Sequence, residues 1–278
     1  MFNKVKKLQV FFLVLLSFFL RVEAFAQDES TEEAPEKYQQ YSECLQDVFN
    51  EADVVKEEQG DGSEIDFLKS KRNSCERVSP ISRRIAVKYL EWGDTSYDAN
   101  GKKSKKDKKK VFEEGLSWAR VALQEDSLDH LNYEVASMSF AAIISASGLK
   151  GKVNLADSVR IYAEECIRIN SQNDRAHHIL GRWHYEVSKL GWFTRMLSRV
   201  IFRGTPKGSF DLAIDYFTKA IELEDVSVHR YWLGMVYLES GQKEKALDEF
   251  RTLQELPLVH HNDQYFKDEA QKILSKHG

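Results

Sequence analysis

From about residue 38 to the C-terminus, apolar residues recur at intervals of three and four, the period of helices with one buried face. Tyr38, Tyr41, Leu45, Val48 and Phe49 share one side of a first helix that begins near Pro35 and runs to about residue 58. Gln59-Gly60-Asp61-Gly62-Ser63 interrupts the pattern, and Ser63 is placed to cap a second helix through Arg77. Ser79-Pro80 opens a third, with Ser79 as the capping residue, Pro80 in the first turn, and Ile85, Tyr89 and Trp92 on one side. No strand-like alternation of any length competes. The pattern predicts an all-α fold with an N-terminal helical hairpin over residues 37–78 and a larger helical domain over residues 79–278.

Within that larger domain the helices repeat. Leu233-Gly234, Tyr237, Gly241, Ala246 and Phe250 follow the tetratricopeptide pattern, a unit of about 34 residues in which small residues let two antiparallel helices cross and large ones fill the space between them. Pro257 closes that unit. A second copy begins at Leu180-Gly181 and continues in Ala213, Phe217 and Ala220. Gly234 and Ala246 are 12 apart but Gly181 and Ala213 are 32 apart, so 20 extra residues are inserted between the helices of this unit. Ala119-x-x-Ala122 and Ala163-x-x-Cys166 read as the ends of earlier second helices. A last helix, roughly Asp263 to Lys276, is expected to cap the array with a polar outer face.

The first 36 residues do not belong to this pattern. Lys4, Lys6 and Lys7 precede an apolar run from Leu8 to Leu20, and Ala24-Phe25-Ala26 offers small residues where a signal peptidase reads. Residues 1–26 are expected to be a cleaved secretory signal, with an uncleaved membrane anchor as the alternative. The run is shorter than the roughly 20 residues that span a bilayer. Residues 27–36 form an acidic leader. The net charge is −4, and removing residues 1–26 takes away four basic side chains and one acidic one, which leaves the remainder more acidic. An acidic, exported protein is a poor nucleic-acid binder.

The run His177-His178-Ile179-Leu180-Gly181-Arg182-Trp183-His184-Tyr185-Glu186-Val187 resembles the regulator of microtubule dynamics family. So do Leu190-Gly191-Trp192 at the start of an inserted helix, Gly204-Thr205-Pro206-Lys207, and the repeat helix through Ala213, Tyr216, Phe217, Lys219 and Ala220. The likeness covers roughly residues 80 to 275 and is strongest from 176 to 257. It implies an α-solenoid, protein interaction, no catalytic residues and, in eukaryotic members, association with microtubules or organelle contacts. The signal-like N-terminus departs from those members and fits a bacterial, exported one.

Few residues suggest chemistry. No phosphate-binding loop, nucleophile elbow or His-Glu-x-x-His motif occurs, and neighbouring carboxylates such as Glu113-Glu114 and Glu164-Glu165 diverge by about 100° on a helix. No enzyme activity, cofactor or metal is expected; among His177, His178 and His184, the pair His177 and His184 lie two turns apart on one face, and a third and fourth converging ligand are lacking. Lys102 to Lys110 holds seven lysines and reads as a solvated stretch running into a helix start. The expected partner is a protein or peptide, held on a groove to which His177, Arg182, His184, Arg230 and Trp232 contribute. The inserted helix, near residues 192–203, carries Trp192, Phe193, Met196, Leu197, Val200 and Ile201 as a stripe, with Arg195, Arg199 and Arg203 on another face. It is expected to pack across its own array; the alternative is that it lies on a membrane surface.

Of three cysteines, Cys44 and Cys75 lie nearly equidistant from Gly60, the centre of the expected hairpin loop. That spacing predicts a disulfide between them in an exported chain, with two reduced core thiols as the alternative. Cys166 stands where the repeat wants a small residue and is expected to be free.

Overall fold

The computed structural model describes residues 39–95, 105–189, 208–260 and 262–277. The signal-like segment, the acidic leader, residues 192–203 with Trp192, Phe193, Met196, Leu197, Val200 and Ile201, Lys102, Lys103 and His261 lie outside the described residues. Among those described there are eleven helices and no strand: α1 Glu43–Gln59, α2 Asp61–Lys71, α3 Ser79–Thr95, α4 Lys105–Glu125, α5 His130–Ser145, α6 Leu149–Ile169, α7 Asp174–Lys189, α8 Phe210–Leu223, α9 Ser227–Glu239, α10 Lys243–Glu255 and α11 Asp263–His277. None of them is long and apolar enough to cross a membrane.

The helices α3/α4, α5/α6, α7/α8 and α9/α10 form four successive antiparallel pairs, each second helix packs on the first helix of the next unit, and α11 closes the end. The eighth residue of every first helix is small: Ala86, Ser137, Gly181 and Gly234. Each sits at the crossing with its second helix. A Cβ on Gly234 would stand 2.6 Å from the Phe250 ring, and one on Gly181 would stand 3.0 Å from Phe217. Ser137 uses the closeness differently, donating its hydroxyl to the Val159 carbonyl at 2.8 Å. At the crossing of α3 and α4 the backbone carbonyl of Ala86 lies 3.2 Å from where a Cβ on Gly115 would be. Tetratricopeptide pairing therefore extends to the two earlier units, where aromatic signals are weak. Ala119, Ala122, Ala163 and Cys166 are all fully buried at the ends of α4 and α6. The chain turns after α10 at Leu256, whose extended backbone is the conformation that Pro257 imposes on its predecessor.

The N-terminal hairpin differs in detail from the periodic pattern. Residues 39–42 are not helical and α1 starts at Glu43, so Tyr41 precedes the helix and packs edge-on against Phe49 at 5.1 Å. The loop is the single residue Gly60, whose φ of 86° suits glycine, and α2 begins at once at Asp61; Ser63 stands inside its first turn and does not cap it. The helix also stops at Lys71, six residues short of Arg77. Cys75 therefore lies in the connection to α3. It is bridged to Cys44 there, with the Cα atoms 5.9 Å apart. The bridge joins the start of α1 to the entry of α3, and Leu45, Phe49, Ile65 and Leu68 bury against Ile81, Ile85 and Tyr89 beneath it.

Two consequences can be measured. Unreduced, denatured protein is expected to show one reactive thiol, Cys166, against three after reduction; three without reduction would mean that packing alone holds the hairpin. Reduction is expected to lower stability by about 2–4 kcal/mol, the chain-entropy value for a loop of this length.

Candidate functional site: the inner face of the array

The first helices α3, α5, α7, α9 and α11 also contact one another in sequence, α3 with α5, α5 with α7, α7 with α9 and α9 with α11, which the second helices do not do to the same extent. The stack therefore curves toward the first helices, and their shared seam is its inner face. In solenoids of this kind the concave surface is what binds extended partners.

One register position builds that seam. The fifth residue of each first helix is Arg83, Glu134, His178 and Tyr231 in turn. Each reaches the opening turn of the next first helix. Arg83 donates to Asn132 Oδ1 at 3.0 Å and to Asp129 at 2.6 Å. Glu134 accepts from Asn173 Nδ2 at 2.6 Å and lies 3.7 Å from Arg175. His178 Nδ1 is 2.8 Å from His229 Nδ1, and Tyr231 packs on Phe266 at 5.2 Å between ring centres. The capping residues are enlisted as well. Asp129 caps α5 through Leu131 N, and Asn173 caps α7 through Ala176 N while its amide holds Glu134. Asn132 bridges three elements, donating to Ser79 Oγ at 2.7 Å and to the carbonyls of Ala122 and Asp126.

These polar groups are buried, and burial moves their protonation equilibria. It pushes the Glu134 carboxyl up to about 7, against the pull of the Asn173 hydrogen bond. Glu186, one turn beyond Arg182, is also raised to about 7 by burial, with Arg182 opposing. Burial lowers His178 well below the ordinary imidazole range, and His229 and Arg182 below their usual values.

The five groove residues read from the sequence divide among three places. Arg182 and Trp232 meet on the seam, the guanidinium 3.4 Å from the ring centre, and Tyr185 packs edge-on to the same indole. His177 and His184 point within their own unit instead. Both flank Tyr216 of α8, His184 stacked on it at 5.4 Å and His177 at 6.0 Å, and His177 Nε2 bonds the Ser171 carbonyl. Arg230 is held by Asp225 and by Glu249 of α10, so it braces the fourth unit. Of the seam residues, His178 enters the sequence reading as a rejected metal candidate, and Arg83, Glu134, Asn173, Arg175, His229 and Tyr231 were not singled out as site residues. The signal that finds Arg83, Glu134, His178 and Tyr231 is the fifth-place register, visible only once all four helix starts are known, and Asn173, Arg175 and His229 are the opening-turn residues that Glu134 and His178 meet. Among the described residues no group of three or more His, Cys, Asp or Glu side chains is placed to hold a metal ion. Cys166 is buried with its thiol 3.8 Å from His130, and burial pushes its ionisation up, which makes it a poor nucleophile.

The helix pairs, the small residue at each crossing and the continuous inner seam define an all-α solenoid of the tetratricopeptide type. A tetratricopeptide repeat protein of Thermus thermophilus has the same fold, with a TM-score of 0.54 over 82% of this chain and 98% of its own at 12% identity. The chain belongs to the regulator of microtubule dynamics family: the family model described as regulator of microtubule dynamics protein 1-3 matches residues 32–278. Regulator of microtubule dynamics protein 1 from Homo sapiens is 22% identical over 174 residues, 62% of this chain and 55% of its own. Protein 3 of the same name from Mus musculus is 26% identical over 195 residues, 68% of this chain and 40% of its own. The chain thus spans about half the length of the curated relatives it matches.

Proposed function

We propose that this chain is a non-enzymatic scaffold that holds an extended segment of a partner protein along its inner face, and that it acts outside the cytoplasm. The observation that carries the reading is the continuous seam of first helices, on which charged and aromatic side chains such as Arg175, Arg182 and Trp232 keep part of their surface accessible. The export-type pattern of residues 1–26 supports the location. The relatives are named for microtubule dynamics; an exported chain does not meet cytosolic tubulin, so the element shared with them is read as the binding array and the partner as a different protein.

A photo-reactive phenylalanine analogue placed at Arg175, on the seam, is compared with one at Asp215, exposed on the second helix α8. The full chain is used in its native host. The expected result is a discrete adduct from position 175 that excess unlabelled protein competes away, and none from position 215. An adduct from position 215 alone would place binding on the outer face and overturn the reading.

A further inference from the structure

The seam between α7 and α9 is closed by a contact unlike the other three. His178 and His229 face each other Nδ1 to Nδ1 at 2.8 Å, with ring centres 4.9 Å apart, and both rings are buried. The far nitrogen of His229, Nε2, lies 3.1 Å from Asp174 Oδ2. The surrounding charges are Asp174, Arg175 and Arg182 on α7, Asp225 in the turn before α9, and Glu224 at the end of α8 beside Asp174. Helix α8 otherwise presents Phe217, edge-on to His178 at 5.1 Å.

This geometry sets the tautomers. The Asp174 carboxylate accepts, so His229 carries a proton on Nε2; when neutral its Nδ1 is bare and accepts from Nδ1–H of His178. The gap between the two Nδ1 atoms holds one proton. A doubly protonated pair would set two N–H groups against each other, and a hydrogen bond would become a contact between like charges. We infer that Asp174, His229 and His178 form an acid-sensitive joint that locks the third unit of the array to the fourth when neutral and releases it when both imidazoles are protonated. Arg182 stands one turn beyond His178 and Trp232 three residues beyond His229, so opening the joint parts the Arg182–Trp232 contact and reshapes the inner face. The joint does not depend on the identity of any partner.

The sign follows from burial. Both imidazoles are held below their unfolded value, so their contribution is fully present above about pH 6.5 and is lost as pH falls below it. Glu134 and Glu186 are shifted upward and act in the opposite direction over the same range, so a global melting curve mixes the two effects. Local opening separates them. Each proton bound only by the open form multiplies its population about tenfold per pH unit.

Amide hydrogen exchange on the full chain, corrected for the intrinsic effect of pH, is expected to rise about tenfold or more between pH 6.5 and 5.5 in the first turns of α7 and α9, and not in α3. The double variant His178→Gln/His229→Gln is expected to lose this response, and His177→Gln to keep it. An unchanged acid response in the double variant, or an equal rise in α3, would overturn the joint. Ring-nitrogen NMR of the unmodified protein is the second readout and needs no variant. It is expected to show Nδ1–H on His178 and Nε2–H on His229 at pH 7.5, with both rings taking up protons as the joint opens. Titration of both rings while α7 and α9 keep their protection would also overturn it.

Discussion

Replacing Glu64 with Leu is expected to destabilise the protein by about 3–5 kcal/mol, the usual result of removing one member of a buried ionic cluster. Glu64 is fully buried beneath the N-terminal hairpin, and one of its oxygens lies 3.1 Å from Arg84 Nη2 and 3.5 Å from Lys88 Nζ. Lys88 is itself only 1% exposed. Without Glu64, Lys88 keeps Glu91 at 3.1 Å, a carboxylate that it shares with Lys56 at 3.6 Å, and Arg84 keeps Asp53 and the face of Phe49. The substitution takes a carboxylate partner from two buried cations at once, and that loss is the cost. Urea denaturation followed by circular dichroism measures it. The double variant Glu64→Leu/Lys88→Met is expected to recover part of the loss, because it removes one of the two cations that Glu64 compensates together with Glu64 itself. A double variant that is weaker by the full sum of both single losses would mean that shape, and not charge, holds the hairpin on α3.

The second large effect belongs to the crossing of α7 and α8. Phe217→Ala is expected to cost about 3–5 kcal/mol, the range for deleting a buried aromatic ring. Phe217 is fully buried, lies so close to Gly181 that a Cβ there would stand 3.0 Å from its ring, and packs in one cluster with Tyr185, Leu233 and Val236. That cluster spans α7, α8 and α9, so the ring joins the two helices of its own unit to the first helix of the next. In an array stabilised by nearest-neighbour contacts, weakening a middle unit lowers cooperativity as well as stability. The denaturation curve is therefore expected to broaden as its midpoint falls. Phe217→Leu, which retains most of the volume, is expected to cost markedly less. A loss below about 1 kcal/mol for the alanine variant would show that the crossing collapses around the gap.

Much of the fold is legible in the residues. The three-and-four spacing of apolar positions marks helices, Gly181 and Gly234 mark two crossings, and the spacing of 32 against 12 marks the 20-residue insertion. The last helix was expected near Asp263 to Lys276 and runs Asp263–His277. The hairpin was less legible. Residues 72–78 carry no breaker until Pro80, so the periodic pattern runs on past Lys71 where the helix stops. The equal spacing of Cys44 and Cys75 from Gly60 sets them at one level only if Cys75 is helical. In the structure Cys75 lies in a connection, and the bridge forms because that connection folds back over the start of α1.

The inner face was legible only in part, and α7 shows why. His177 and His178 differ by about 100° around the helix. One faces Tyr216 inside its own unit and the other faces His229 across the seam. Both are buried, as is every residue from Ala176 to Val187 except the half-buried Arg182, so periodicity cannot rank one side of this helix above another. What the sequence by itself determined is local: helix period, the breaks at Gly60 and Pro257, and the small residues that permit close crossings, each set within a few neighbouring positions along the chain; the two caps it proposed do not form, since Ser63 lies inside the first turn of α2 and α3 already includes Ser79. Which face of each first helix forms the inner seam, and which fifth-place side chain meets which opening turn, was decided only by the tertiary structure. Those contacts join residues 35 to 51 positions apart, as in Tyr231 with Phe266 and His178 with His229, and form only when successive units stack.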